Sequence, residues 1–237
     1  MPTLYLLGDS TCAPKSDDVR PETGWGERFS QYLAPGWRLE NRAVNGRSTR
    51  QFLLEGDFDR VERALQRSDA VLIQFGHNEP KPEPWRRTEP WTTFQDNLRR
   101  MIDAVRTKGA LPYLATPIAR RRFACIDGVS VPQDTHGEYP KAMLTLAREL
   151  DVPCADITGT TMRWLASVGD EESKRFFMNF PAGMYPKYPE GRSDDTHLSA
   201  EGAEAVARLV DETFGDMDPI PPFLYCSRCS AIRGGRF

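Results

Sequence analysis

The chain has no apolar stretch near the roughly twenty residues of a bilayer-spanning helix, no large charge of either sign, and only three histidines. The first absence excludes a membrane-spanning helix; the second, a net charge of −3, gives no general pull toward nucleic acid or an anionic lipid surface, so neither partner is expected. Repeats, low-complexity tracts and linker-like shifts in composition are also missing, so 237 residues that are 39% apolar read as one globular domain with a substantial core. Residues 1–215 are assigned to that domain and residues 216–237 to a C-terminal extension. Met1-Pro2 leads straight into an apolar run, leaving no room for a leader, so a cytoplasmic setting is expected, with secretion only if a leader has been removed. Five cysteines, an odd number, agree with a reducing compartment. Cys226 and Cys229 form a single C-x-x-C with no second pair to complete a zinc site, and Cys12, Cys125 and Cys154 are expected to be small buried thiols.

Several residues carry chemistry. Gly8-Asp9-Ser10 ends the first apolar run, and Asp194-Asp195-Thr196-His197 stands just before a helix-like segment with Ser199 as its N-cap. A serine hydroxyl becomes a nucleophile only when a neutral imidazole takes its proton and a carboxylate holds that imidazole in one tautomer. Ser10, His197 and Asp194 suit those three roles, with Asp195 the weaker carboxylate. The order Ser, Asp, His lacks the G-x-S-x-G elbow of the ordinary α/β-hydrolases, so a different scaffold is required. Two further apolar runs end at Asn45-Gly46-Arg47-Ser48-Thr49 and at Gly76-His77-Asn78-Glu79. The Gly46 N–H, the Asn78 amide and the Ser10 N–H suit an oxyanion hole, although Asn45-Gly46 is also a plain turn sequence and Asn78 a plain cap.

Strand-like runs at 3–7, 39–44, 70–75, 111–115 and 152–155 alternate with helix-like segments at 25–33, 48–66 (broken near Gly56), 93–108, 138–150, 158–168 and 199–213. This is the pattern of an α/β doubly wound parallel sheet. Ligands bind beyond the carboxyl ends of such strands, where the strand order reverses, and Ser10, Gly46 and Asn78 all follow strand ends.

These four ordered blocks resemble the SGNH (GDSL-type) hydrolases over residues 3 to about 213. The Gly8-Asp9-Ser10-Thr11 opening, the stretch from Gly46 to Arg50 and Gly76-His77-Asn78 look most like the rhamnogalacturonan acetylesterase branch. The resemblance implies a flavodoxin-like three-layer fold, Ser10 as nucleophile, Ser10, Gly46 and Asn78 as oxyanion donors, His197 as base and Asp194 as its orienting carboxylate. Glu79 departs from the branch, which usually has aspartate there. The expected activity is removal of acetyl groups from pectic, rhamnogalacturonan-like oligosaccharides through an acyl-enzyme, with no metal or organic cofactor. Alternatives are a lipase or thioesterase on the same blocks, a non-catalytic carbohydrate-binding protein, and a two-carboxylate glycosidase that would work without Ser10. The segments 80–90, with Trp85, and 176–192, with Phe177, Phe180, Tyr185 and Tyr188, read as loops able to face an acidic saccharide. His136 is expected at the surface or in a substrate loop, and Arg120-Arg121-Arg122 as a solvated run.

Overall fold

Strands whose residues are apolar on both faces pair in parallel only when helices cover both sides, and β1 (Thr3–Gly8) is buried along its whole length. The computed structural model describes residues 1–225. In it β1, β2 (Arg38–Asn41), β3 (Ala70–Gln74), β4 (Leu111–Ala115) and, after a separate hairpin of β5 (Phe123–Ile126) and β6 (Val129–Pro132), β7 (Cys154–Ala155) appear in chain order. The main sheet runs β2-β1-β3-β4-β7, parallel throughout. The order reverses at β1, so the crevice between the carboxyl ends of β1 and β3 is the switch point of a doubly wound sheet.

The helices are α1 (Thr49–Leu54), α2 (Asp57–Ala64), α3 (Gln95–Thr107), α4 (Tyr139–Glu149), α5 (Ile157–Val168), the short α6 (Asp170–Ser173) and α7 (Ala200–Gly215). Strand side chains alternate between the two helical layers. Leu4, Leu6 and Leu72 face Trp25, Phe29, Leu165, Val206, Val210 and Phe214. Tyr5, Leu7, Val71 and Ile73 face Phe52, Phe58, Leu98, Ile102 and Leu146 on α1 to α4. Each such side chain contributes about 1.5–3 kcal/mol through burial. Residues 216–225, read from the sequence as the start of an extension, lie against this core: Phe223 is fully buried, and the Ala34 N–H donates to its carbonyl at 2.8 Å. Cys226 and Cys229 fall outside the described residues.

The structure differs from the sequence reading most clearly at residues 25–33 and at the hairpin of β5 and β6. The expected helix at 25–33 is two 3₁₀ turns, Trp25–Glu27 and Phe29–Tyr32. Gly24 and Gly26 are poor helix formers, and Trp25 is fixed instead by its indole N–H donating to buried Gln74 Oε1 at 2.8 Å. The hairpin β5–β6 was not expected. Asp127 and Gly128 at its tip have φ of 50° and 80°, the backbone that an Asp-Gly pair between β-forming residues favours.

Candidate active site

Ser10 leaves the end of β1 on a turn built by its neighbour. Asp9 is fully buried, and its Oδ1 accepts hydrogen bonds from the Thr11 N–H at 2.9 Å and the Thr11 hydroxyl at 2.8 Å. Its Oδ2 lies 3.3 Å from His77 Nδ1 on the loop after β3. Burial alone would raise the Asp9 carboxyl, but His77 and Thr11 outweigh it and bring it down to about 2. The loop after β1 is therefore tied to the loop after β3.

His197 arrives on the turn before α7. Its carbonyl accepts the Met178 N–H at 2.9 Å, and the next residue, Leu198, pairs with Phe177 in an antiparallel bridge. Ser199 caps α7 by accepting the Gly202 N–H at 3.1 Å. A Cβ on Gly202 would stand 1.8 Å from the Phe176 carbonyl oxygen, so only glycine lets α7 sit this close to the segment that braces His197.

Three side chains separated by 187 residues then meet. His197 Nε2 lies 3.0 Å from Ser10 Oγ, and His197 Nδ1 lies 2.8 Å from Asp194 Oδ2. Asp194 Oδ1 accepts the Thr196 and His197 N–H groups, each at 2.9 Å. Burial opposes its ionisation, but the bonds from the His197 ring and backbone hold the carboxyl well below the usual range. An ionised Asp194 fixes the tautomer with Nδ1 protonated, leaving Nε2 free to accept the serine proton. Asp195 points elsewhere: its Oδ1 accepts from Arg121 Nη1 and Asn179 Nδ2, both at 2.8 Å.

The second and third blocks come together at the same edge of the sheet. The Val44 N–H donates to the Gly8 carbonyl at 3.0 Å, and Asn78 Nδ2 donates to the Arg47 carbonyl at 3.0 Å, leaving its second N–H available. Gly46 has φ of 76°, which glycine adopts without strain. Glu79 is fully buried beneath this loop; its Oε1 accepts the Thr49 N–H at 2.7 Å and its Oε2 the Asn78 N–H at 3.2 Å. Burial pushes its carboxyl up to about 8, against the pull of the Thr49 bond and reinforced by the Asp9 charge. The folded chain thus holds this proton more tightly than the unfolded chain, whose ordinary value is 4.5. Its contribution to stability is complete below about pH 4.5 and is lost as pH rises toward about 8, by at most about 1.4 kcal/mol per unit. Thermal melts of Glu79→Gln should accordingly fall less steeply than wild type over that interval, and parallel curves would contradict the assignment.

Three expectations need correction. His136 is buried, not at the surface: Nε2 lies 2.8 Å from the Ile118 carbonyl, and its ring packs edge-on against His77 at 4.6 Å. Burial, with His77 and Arg120 adding to it, pushes this imidazole down to about 2, so it is neutral and donates from Nε2. The arginine run is only partly solvated, since Arg121 is buried and pairs with Asp170 and Asp195, while Arg120 donates to the His77 carbonyl at 2.9 Å. Cys125 is exposed on the hairpin, whereas Cys12 is buried and Cys154 half-buried. The aromatic expectation divides: Trp85 is exposed, Phe177 is core, and Phe180 packs on Tyr185 and Tyr188 at 4.7 and 5.3 Å. Sequence reading missed Asn179, whose side chain braces Asp194 and Asp195, and Arg192, whose Nη2 donates to Asp194 Oδ2 at 2.6 Å. No local pattern marks either one.

Among the described residues, no group of three or more histidine, cysteine or acidic side chains is placed to hold a metal ion, and no helix is long and apolar enough to cross a membrane.

Residues 6–205 match the model of the GDSL-like lipase/acylhydrolase family. The chain is 42% identical over 209 residues to the rhamnogalacturonan acetylesterase RhgT of Bacillus subtilis strain 168, covering 88% of each chain. It is 33% identical over 208 residues to the probable rhamnogalacturonan acetylesterase YesY of the same organism, covering 87% of this chain and 89% of the relative. The crystal structure of the Bacillus subtilis protein YXIM superposes with a TM-score of 0.78 at 25% identity, covering 94% of this chain and 58% of that one.

Proposed function

Because this chain belongs to the GDSL-like lipase/acylhydrolase family, we propose that it is a serine esterase that removes acetyl groups from pectic, rhamnogalacturonan-like oligosaccharides. The observation that carries the chemistry is the unbroken series from Ser10 Oγ to His197 Nε2 at 3.0 Å and from His197 Nδ1 to Asp194 Oδ2 at 2.8 Å. In this reading Ser10 attacks the acetyl carbonyl while His197 takes its proton. The negative oxygen that develops is met by the Ser10 and Gly46 N–H groups and the free N–H of the Asn78 amide. His197 then gives that proton to the departing sugar oxygen, leaving an acetyl-enzyme; the same imidazole takes a proton from water as it attacks the acetyl carbon and returns one to Ser10 Oγ as acetate leaves.

The substrate class rests on the named relatives and on one local feature. The Arg86 guanidinium ends 3.9 Å from where a Cβ on Gly46 would stand. Its own partners are loose, a 3.4 Å bond to Gln51 and a 3.9 Å pairing with Glu83, so a cation beside the second block remains available to an acidic sugar. Acetate release from acetylated rhamnogalacturonan oligomers should exceed that from acetylated xylan oligomers by about tenfold in kcat/KM, the size of discrimination that one or two differential contacts supply. Equal or reversed rates would rule out the pectic assignment while leaving the esterase intact.

A further inference from the structure

Asp194 Oδ2 serves two donors at once. His197 Nδ1 lies 2.8 Å from it on one side, and Arg192 Nη2 donates to it at 2.6 Å on the other. Arg192 is not a loose surface cation. Its backbone pairs with Phe180 in both directions, its guanidinium lies 5.5 Å from the Tyr188 ring centre and 3.3 Å from the Tyr188 hydroxyl, and Glu22 Oε2 stands 3.3 Å from Nη1. Glu22 in turn meets buried Lys15 at 2.9 Å, and Lys15 donates to Asn45 beside Gly46 at 2.7 Å. Charges thus alternate from the second block to the imidazole: Lys15, Glu22, Arg192, Asp194, His197.

Accepting the Ser10–His197–Asp194 reading above, we propose that Arg192 is a positioning residue that sets the acid limit of the reaction by sharing the carboxylate oxygen that holds the imidazole. An isolated carboxylate favours the charged ring, so mild acid would protonate the base and stop the reaction. A fixed guanidinium 2.6 Å from the same oxygen opposes that attraction, because its charge neutralises part of the carboxylate's. Ser10 faces Nε2, and other charged groups near the turn have partners of their own: buried Asp9 pairs with His77, and Asp195 is engaged by Arg121. Tyr188 and Glu22 contact Arg192, and Lys15 contacts Glu22.

The test is the pH profile of kcat/KM for p-nitrophenyl acetate in wild type, Arg192→Gln, Arg192→Lys and Glu22→Gln. Arg192→Gln should move the acid limb to higher pH by about half a unit to one unit, as expected for loss of a unit charge a few ångströms away in a partly screened site. Arg192→Lys should keep the limb near wild type. Glu22→Gln should move it the opposite way, because Arg192 and Lys15 then lose their counter-charge. An unmoved limb in Arg192→Gln, however far the plateau falls, would overturn the proposal, as would a limb in Arg192→Lys displaced as far as in Arg192→Gln. If Arg192→Gln does not fold, the sign of the Glu22→Gln displacement decides. A wild-type chain with no hydrolysis at all would instead defeat the esterase reading, a different and separable result.

Discussion

Ser10→Ala should abolish turnover of p-nitrophenyl acetate, with kcat falling by about 10⁴- to 10⁶-fold, the range found when the nucleophile of a serine hydrolase is removed. The loss should be purely chemical. Ser10 Oγ has His197 Nε2 as its hydrogen-bond partner, while the turn itself is held by buried Asp9 and Thr11. Removing one half-exposed hydroxyl therefore leaves the fold in place, and thermal melts of the variant should overlay those of wild type. Initial rates and a melt on the same preparation decide the matter. Residual activity within about tenfold of wild type would point to a carboxylate mechanism that needs no serine.

The second expected result is a contrast between neighbours. Asp194→Ala should lower kcat by about 10³- to 10⁴-fold, because His197 loses the acceptor that fixes its tautomer and stabilises its charge. Asp195→Ala should leave kcat within a few-fold of wild type and act on stability instead. Arg121 is buried and would keep only Asp170 as a carboxylate partner, and Asn179 would lose its 2.8 Å contact with Asp195. Since Asp195 itself is nearly half exposed, about 1–2 kcal/mol is expected in urea unfolding. Matching losses of turnover in the two variants would refute the separation of roles.

What was legible in the sequence was whatever depends on short spacing. Apolar runs ending in Gly8-Asp9-Ser10, Asn45-Gly46 and Gly76-His77-Asn78 announce strands that deliver their polar tips to one edge, and Asp194 with His197 fits a single turn. Ser199 behaves as the N-cap that its position suggested. Long-range partnerships were not legible. His136 is neutral and buried because the loop after β6 folds it onto His77, 59 positions away in the chain (136 − 77), and nothing near His136 encodes that contact. Arg121 sits in a run of three arginines whose composition suggests solvent, yet its backbone N–H donates to the Asp195 carbonyl at 2.8 Å and its side chain goes inward. Arg192 and Glu22 are 170 positions apart (192 − 22), and their 3.3 Å contact exists only in the folded chain. The Asp127-Gly128 hairpin is different: its turn signal is local, but its flanking runs are too short and too exposed to resemble core strands.

The 187 positions between Ser10 and His197 bear on how this protein is made. On the proposed assignment, a ribosome delivers the hydroxyl, the glycine turn and the asparagine amide early, and they stay inert until the last block emerges and docks. A polypeptide truncated before that point would carry a dormant alcohol, and reactivity would switch on only with completion of the tertiary structure.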